Sequence, residues 1–428
     1  MIKKILFALI LGTISLFANK PLTVDDLVEI ALTNSPDINI SRSNFQAARQ
    51  RTKYAEGDYL PRLDAIAGAG LHGNKLQDKS FDNSNALLGK LSASQLIYDF
   101  GKTGGNIDSF SEEANASYSV MHQIISDKIF EVKQRYYDLL RAKSLIRVNE
   151  ENVRLNEKQL YRSKRYFKAG IRTKIDITDA DVRLIQAQLD LQNAKYDLKL
   201  SQVALEKTIG IAPYGGNYDI YEKKPQLPYL YDKLPSINES MSDMENYAFA
   251  HRHELKRYRH LINSARSRIT SVKGDYYPSL YLEGDYTLQN VDDKMAQYIP
   301  EQQWQATVNL KWNLFSGFQT DSATQEARIN AAKASSEFIN TKLAIKQETD
   351  NAYILVFKNK DAVKLSENLV KAAEAKFEQS QKRYEHGLSD YIELQEARQS
   401  YINAQTGLVI SYYEYFIALA QLDRAIGR

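Results

Sequence analysis

The most regular feature of the chain is a series of apolar residues spaced seven apart along its first half. The members of this series are Tyr118, Ile125, Val132, Leu139, Ile146, Val153, Leu160 and Phe167. A seven-residue spacing keeps one face of a slightly underwound helix turned towards a partner helix over its whole length. The pattern therefore predicts one long helix, from Lys102 to Lys168, that packs as part of a coiled coil.

A second long helix is predicted from about Thr173 to Ile209, after a turn at Ala169-Gly170-Ile171. It has two apolar stripes, whose members are Ile175, Val182, Leu189, Tyr196 and Val203 on one, and Ile177, Leu184, Leu191, Leu198 and Leu205 on the other. Two stripes would let this helix contact neighbours on both sides. An amphipathic hairpin in an ordinary helical bundle would also show this spacing, so the pattern alone leaves both architectures open.

Two other regions change to a period of two, which only a strand presents as one apolar and one polar face. The predicted strands are Leu63 to Leu71, Leu87 to Ile97, Leu280 to Leu288 and Trp304 to Leu314, joined in pairs by polar loops at His72 to Ala86 and Gln289 to Gln303. Such strands are typical of an outer-membrane barrel with an aqueous interior, and a soluble β-sandwich hairpin is the alternative. Small barrels need about eight strands, so several chains would have to contribute, and three would supply twelve.

The second half of the chain repeats the first with a constant offset of 217 residues. The landmark pairs are Thr23 and Ser240, Asp37 and Glu254, Pro61 and Pro278, Tyr98 and Phe315, Gly170 and Gly387, Asp176 and Glu393, and Gly210 and Gly427. Chance matches would scatter in offset, so we expect two copies of one architecture.

We divide the chain on this basis into a first repeat at 19–210, an equatorial linker at 211–238 and a second repeat at 239–428. The first repeat is expected to have its strand hairpin at about 60–98 and its long helices at about 102–168 and 173–209. The second repeat is expected to have them at about 278–315, 319–385 and 390–426.

Residues 1–18 are predicted to be a secretory signal peptide. Two lysines precede an apolar run from Ile5 to Phe17, which is too short to span a bilayer. Ala18 is the expected last residue before cleavage, although Leu16 occupies a position where a small residue is usual. No later apolar stretch is long enough for a membrane helix, so membrane insertion after export would have to use β-strands.

The composition excludes several kinds of chemistry. With a net charge of +3 over 428 residues, the chain has no basic bias that would indicate binding to nucleic acid. The absence of cysteine excludes disulfides, thiolate metal sites and cysteine nucleophiles. No Walker-type phosphate loop, H-E-x-x-H or G-x-S-x-G motif is present. We therefore expect neither enzymatic activity nor a cofactor or metal site.

Taken together, these features resemble the TolC family of outer-membrane efflux proteins. The most specific segments are Tyr98-Asp99-Phe100-Gly101-Lys102, Leu314-Phe315-Ser316-Gly317, Tyr166 to Asp176, and Arg383 to Glu396. The resemblance implies a mainly α fold with a small transmembrane β part, built as a trimeric α/β barrel. Each chain would contribute four strands to a twelve-stranded barrel, and the long coiled-coil helices would form a tunnel across the periplasm.

The same resemblance implies a passive exit duct of a tripartite efflux pump or a type I secretion system, which opens at its periplasmic tip. The homotrimer would lie in the outer membrane among its lipids, extend into the periplasm, and bind a periplasmic adaptor protein and an inner-membrane transporter. The alternative is a trimeric coiled-coil structural or adhesive outer-membrane protein, which would have its four strands together at the C-terminus. A soluble periplasmic adaptor is a second alternative, and it would lack the alternation from Trp304 to Leu314.

The resemblance places the two glycine turns at the periplasmic tip, where an adaptor would dock. The turn residues are Ala169, Gly170 and Ile171 in the first hairpin, and His386, Gly387 and Leu388 in the second. The family's narrowest aperture is lined by acids six and nine positions after the second glycine, here Glu393 and Glu396, whose first-half equivalents are Asp176 and Asp179. A ring of such acids favours cations. The alternative is that acids in the first turns of a helix complement its dipole.

Closure of the tip is also implied by the resemblance. Family members use a tyrosine three before the second glycine and an arginine two after it, which meet a threonine and an aspartate five and six after the first glycine. This chain keeps Tyr384 and Asp176, whereas Ser389 and Ile175 replace the arginine and the threonine. Arg172, two after the first glycine, is a candidate substitute from the other hairpin.

Overall fold

The computed structural model describes residues 21–74, 82–213, 220–221, 230–291 and 301–428. The predicted signal peptide at 1–18 lies outside the described residues, as does half of the predicted linker at 211–238. The division into two repeats and a linker stays a prediction.

In chain order the elements of the described residues are α1 (Val24–Asn34), α2 (Pro36–Glu56), β1 (Arg62–Asn74), β2 (Asp82–Tyr98), α3 (Lys102–Lys168), α4 (Lys174–Thr208), α5 (Met241–His251), α6 (His253–Lys273), β3 (Ser279–Val291), β4 (Gln302–Lys311), α7 (Gln319–Glu385) and α8 (Tyr391–Ile426). The bounds of α1, α2, α3 and β1 recur 217 residues later in α5, α6, α7 and β3. Within the described ranges, no helix combines the length and the apolar character needed to cross a bilayer.

Contacts divide the chain into two compact units. The helical unit comprises Met1–Ile40, His122–His253 and Lys342–Arg428, of which the described part begins at residue 21. The strand unit comprises Ser41–Met121 and Glu254–Thr341. The helical unit has a buried core that includes Leu27, Val132, Leu139, Leu205 and Tyr413. Val132 and Leu139 belong to the stripe of seven-residue spacing, so the middle of that stripe faces other helices as expected.

The four strands form one antiparallel sheet in the order β1-β2-β3-β4, in which β2 pairs with β3 and joins the two predicted hairpins. The strands extend further than their apolar patterns indicated. β1 reaches Asn74 and β2 begins at Asp82, inside the predicted loop from His72 to Ala86. Backbone ladders do not require apolar side chains, so the sequence pattern underestimated these strands. At the other end, the prediction of a strand through Leu314 was wrong, since β4 ends at Lys311.

The register gives the sheet one apolar and one polar face. On the apolar face Leu91 pairs with Tyr286, which pairs with Trp304. On the polar face Lys90 Nζ lies 2.9 Å from Asp285 Oδ1, and a glutamine of β4 donates to the same carboxylate. Because side chains alternate along each strand, a matched register continues both faces across all four strands.

The sheet passes into the long helices through two left-handed residues in each copy. Phe100 and Gly101 have φ of 56° and 87°, and their equivalents Gly317 and Phe318 have φ of 62° and 65°. The glycine is thus the second residue of the pair in the first copy and the first residue in the second copy, and a phenylalanine occupies the remaining position in each. A left-handed residue other than glycine costs about 1–2 kcal/mol. The ring of Phe100 stacks on Tyr277 with centroids 5.0 Å apart, a contact that offsets part of this cost.

The long helices that leave the sheet and those that return end in the same kind of turn. Their terminal glycines have positive φ, at 67° for Gly170, 80° for Gly210, 72° for Gly387 and 81° for Gly427. After Gly170, Ile171 N donates to Tyr166 O at 2.9 Å, and after Gly387, Leu388 N donates to Arg383 O at 2.8 Å. These bonds satisfy carbonyls that have no partner inside the helix, so each helix ends at a defined residue.

Replacing these glycines by alanine should separate backbone strain from steric clash. A Cβ on Gly210 would lie 2.7 Å from Asn34 O, whereas nothing lies within 4 Å of a Cβ on Gly170. We expect Gly170→Ala to cost about 1–2 kcal/mol through left-handed strain alone, and Gly210→Ala to cost clearly more. The measurement is the unfolding temperature of each purified variant. Equal shifts would contradict the close approach at Gly210.

Candidate functional site

Side chains beside the two glycine turns pack into one buried group, which we call the tip cluster. Its buried members are Leu160 from α3, Ala180 from α4, Tyr384 from α7, and Tyr391 and Leu394 from α8. Tyr384 is 1% exposed, and its ring centroid lies 6.3 Å from that of Tyr166 and 6.1 Å from that of Tyr391. The two helical hairpins therefore share one apolar core next to their turns. The two glycine turns of one chain thus lie near each other.

Arg172 connects the first turn to the second. Its guanidinium carbon lies 4.8 Å from the centroid of the Tyr384 ring, and its Nη2 donates to Ser389 O at 3.2 Å. Ser389 stands where the family pattern has an arginine, and Arg172 is the equivalent position in the first hairpin. The cation that the second turn lacks is therefore present in the first turn, and it contacts the tyrosine that the pattern keeps.

The environment of Tyr384 keeps its hydroxyl neutral. Burial raises the pKa of this hydroxyl, and the positive charge of Arg172 lowers it by a smaller amount. The buried hydroxyl forms no hydrogen bond of good geometry within the described residues. Its ring therefore contributes to the tip cluster mainly through apolar packing and through its face, which accepts the Arg172 cation.

The first acid of each predicted pair takes part in local structure. Asp176 Oδ2 accepts from both the backbone N and the Oγ1 of Thr173 at 3.0 Å, which closes a capping box at the start of α4. Glu393 Oε1 lies 3.2 Å from Arg383 Nε, while Asp390 caps the start of α8. These contacts support the helix-start alternative for Asp176. A role of either acid in an aperture stays a prediction.

The second acid of each pair, Asp179 or Glu396, is exposed. Neither carboxylate forms an ion pair or a hydrogen bond with another described residue. Each lies three positions after the first acid and so on nearly the same helical face. The two exposed acids are thus the members of the predicted set whose charge is available to an ion. In the part of the chain that the structure describes, no three His, Cys, Asp or Glu side chains are grouped to hold a metal.

The six predicted docking residues are all exposed. Ile171 and Leu388, which follow the two glycines, are 66% and 69% exposed. Each turn therefore presents one apolar side chain to its surroundings. Open space around Gly170 and Gly387 shows that these glycines serve the backbone conformation and not a close internal contact.

Two arginines near the second turn were not identified from the sequence. Arg383 pairs with Glu393, as described above, and Arg162 Nη1 lies 2.7 Å from Glu385 Oε1. For Arg383 the available signal was the basic last turn of α7, which complements the helix dipole whatever its other contacts. Arg162 lies inside α3 and had no such signal.

Comparison with known proteins defines the class as channels of the bacterial outer membrane. The chain matches the family described as outer membrane efflux protein over residues 27–211 and 246–428. The chain therefore belongs to the outer membrane efflux protein family.

Relatives and solved structures agree with this assignment. The chain is 23% identical over 427 residues to outer membrane protein TolC of Vibrio cholerae. This alignment covers 97% of this chain and 93% of that protein. It is 23% identical over 187 residues to the alkaline protease secretion protein AprF of Pseudomonas aeruginosa, covering 43% and 38% of the two chains. The outer-membrane channel OprN has a TM-score of 0.81 at 16% identity, covering 94% of this chain and 89% of that one. CusC has a TM-score of 0.82 at 16% identity, covering 94% and 92%.

The family assignment confirms the predicted resemblance and the mainly helical fold with a small sheet. The protein is an outer-membrane efflux or secretion channel and not an enzyme. The structural or adhesive alternative is not favoured, because the matches cover nearly the whole chain and are to channels.

Replacing Tyr384 by phenylalanine should change the response of the protein to alkaline pH. Because the folded pKa is raised, the neutral phenol contributes stability that is complete below about pH 10 and is lost as the pH rises through the folded pKa. We expect the unfolding temperature of the wild type to fall between about pH 9 and pH 12 more steeply than that of Tyr384→Phe. Tyr161→Phe, at a 63% exposed tyrosine of α3, is the control. Identical slopes for wild type and Tyr384→Phe would contradict the burial argument.

Proposed function

We propose that three copies of this chain form a duct that runs from the outer membrane into the periplasm. It conducts passively, as the exit of a tripartite efflux pump or a type I secretion system. An adaptor and an inner-membrane transporter supply the recognition and the energy, since this chain has no nucleotide-binding motif.

The observation that carries this proposal is an exposed apolar stripe along α4. Its members and their exposed fractions are Ile175 at 69%, Val182 at 58%, Leu189 at 53%, Tyr196 at 55% and Val203 at 41%. The other stripe of the same helix ends at Leu205, which is fully buried in the core of the helical unit. One stripe is thus used within the chain and the other is not. A regular apolar stripe on a long helix is a surface for another helix, and a neighbouring copy would supply it.

The sheet supports the same assembly independently. β1 and β4 are its edge strands, whose outer backbone groups have no partner within the described sheet. Unpaired backbone groups are not tolerated in lipid, so edges of neighbouring copies would pair and close a twelve-stranded sheet. The apolar face would then contact outer-membrane lipid, consistent with the exposure of Leu71 at 81% and Trp304 at 76%.

At the periplasmic tip, we propose that the exposed turns bind the adaptor and that Arg172 and Tyr384 hold the two hairpins of one chain together. Asp179 and Glu396 would line the aperture, because their carboxylates are exposed and have no partner among the described residues. In a ring of three chains these acids would attract cations.

Substitution of the exposed acids tests the aperture. We expect Asp179→Asn with Glu396→Gln to weaken block of single-channel current by a trivalent cation added at the periplasmic side by about tenfold, because the negative potential of the mouth is lost. Asp181→Asn is the matched control, since Asp181 is also exposed but lies two positions further on, on another face of α4. Unchanged block in the double variant would remove both acids from the aperture.

Substitution of the exposed turn side chains tests adaptor docking. Ile171→Ser with Leu388→Ser removes two apolar contacts and leaves both glycine turns intact. We expect export by cells to fall several-fold, while the amount of assembled protein in detergent stays unchanged, because exposed side chains contribute little to stability. Leu365→Ser, at a 67% exposed leucine of α7, is the control. Normal export by the double variant would exclude these side chains from docking.

A further inference from the structure

The junctions between strands and long helices use equivalent hydrogen bonds in the two copies. In the first copy Gln95 Nε2 donates to Tyr59 O at 2.5 Å. In the second copy Trp312 Nε1 donates to Tyr276 O at 3.1 Å. Both pairs are related by the offset of 217. The two junctions therefore have one geometry, and differences between their side chains can be compared position by position.

The second junction combines two cations around a pocket. This pocket has a volume of about 520 Å³, and its lining includes Lys273, Tyr276, Tyr277, Asp321, Thr324 and Arg328. Lys273 and Arg328 correspond to Glu56 and Ser111 of the first copy. The first copy thus has a carboxylate and a hydroxyl where the second has an ammonium and a guanidinium.

The donors of this pocket are available to a ligand. Lys273 and Arg328 are exposed, and neither forms an ion pair with another described residue. Thr324 is 4% exposed, and its hydroxyl lies in the wall of the pocket beside the Tyr276 hydroxyl. The acid of the pocket, Asp321, accepts from the Tyr276 hydroxyl at 2.5 Å. The two exposed cations match the charge and the oxygens of a phosphate.

The surroundings of the pocket indicate a phosphate that belongs to a lipid. The exposed aromatic side chains nearby in the chain are Tyr277 at 52%, Trp312 at 53%, Phe315 at 73% and Phe318 at 69%. Tyr277 lies just before β3, and the other three lie just after β4. The apolar residues of both strands are also exposed. Aromatic rings with basic residues at the end of an apolar surface are typical of the boundary between membrane and water.

We propose that this pocket binds the headgroup phosphate of an outer-membrane phospholipid, one in each copy of the chain. Lys273 and Arg328 would contact the phosphate oxygens, and the aromatic side chains would contact the upper part of the acyl chains. The inference rests on the proposed position of the sheet in the membrane. It gives the second repeat a lipid site that the first repeat, with Glu56 at the equivalent position, does not have.

The test measures binding of phosphatidylglycerol to the purified full chain in detergent by native mass spectrometry. Each basic group near an anionic headgroup contributes about a factor of five in affinity. We expect Lys273→Gln with Arg328→Gln to weaken binding by roughly twenty- to thirtyfold. Asp321→Asn should strengthen it by about fivefold, a change that a folding defect would not produce. Lys53→Gln with Lys333→Gln removes two exposed lysines outside the pocket and should leave binding unchanged.

Equal affinity in the wild type and the double variant at the pocket would overturn the inference. So would competition by inorganic phosphate at the same concentration as the lipid, because the site would then bind free phosphate. Conductance of each variant in planar bilayers is measured in parallel. A protein that conducts but binds no lipid at this pocket contradicts the lipid site alone, whereas a wild type that does not conduct contradicts the proposed function.

Discussion

The strongest physical demand on this chain is to keep its exposed apolar surfaces away from water. Exposure to water costs about 25 cal/mol for each Å² of such surface, so a stripe along a long helix and a whole face of a sheet must meet other partners. The exposed stripe of α4 begins at Ile175 and the sheet exposes side chains such as Leu71. The proposed assembly of several chains in a lipid membrane would cover both surfaces and leave a path between the chains.

The two halves have elements with recurring bounds but differ in their side-chain contacts. At the tip, the first turn has Arg172, and the second turn has Ser389 at the equivalent position. Arg172 donates a hydrogen bond to the backbone carbonyl of Ser389. The leading acids differ in the same way, because Asp176 closes a capping box while Glu393 pairs with Arg383. Equivalent backbones thus provide two chemically different surfaces in each chain. Three chains would then alternate these surfaces around a ring.

Backbone conformation explains why glycine recurs at the ends of the long helices in both halves of the chain. Gly170, Gly210, Gly387 and Gly427 all have positive φ at a helix end, where residues with a Cβ are strained. The left-handed phenylalanines at 100 and 318 were not predictable, because intrinsic preference argues against this conformation for an aromatic residue. Phe100 stacks on Tyr277, which is distant in sequence, whereas the ring contact of Phe318 is with the nearby Phe315.

Sequence patterns were enough to predict the kind, the order and nearly the bounds of the long elements. Apolar spacings of seven and two are local properties, so they are readable without knowledge of the fold, and the offset of 217 confirmed each pattern against its copy. Three outcomes are visible only in the folded chain. β2 pairs with β3, Arg172 contacts Tyr384, and Asp179 and Glu396 remain exposed while Asp176 and Glu393 form local contacts. Each of these outcomes depends on contacts between residues far apart in the chain, and periodicity carries no information about which distant side chains meet.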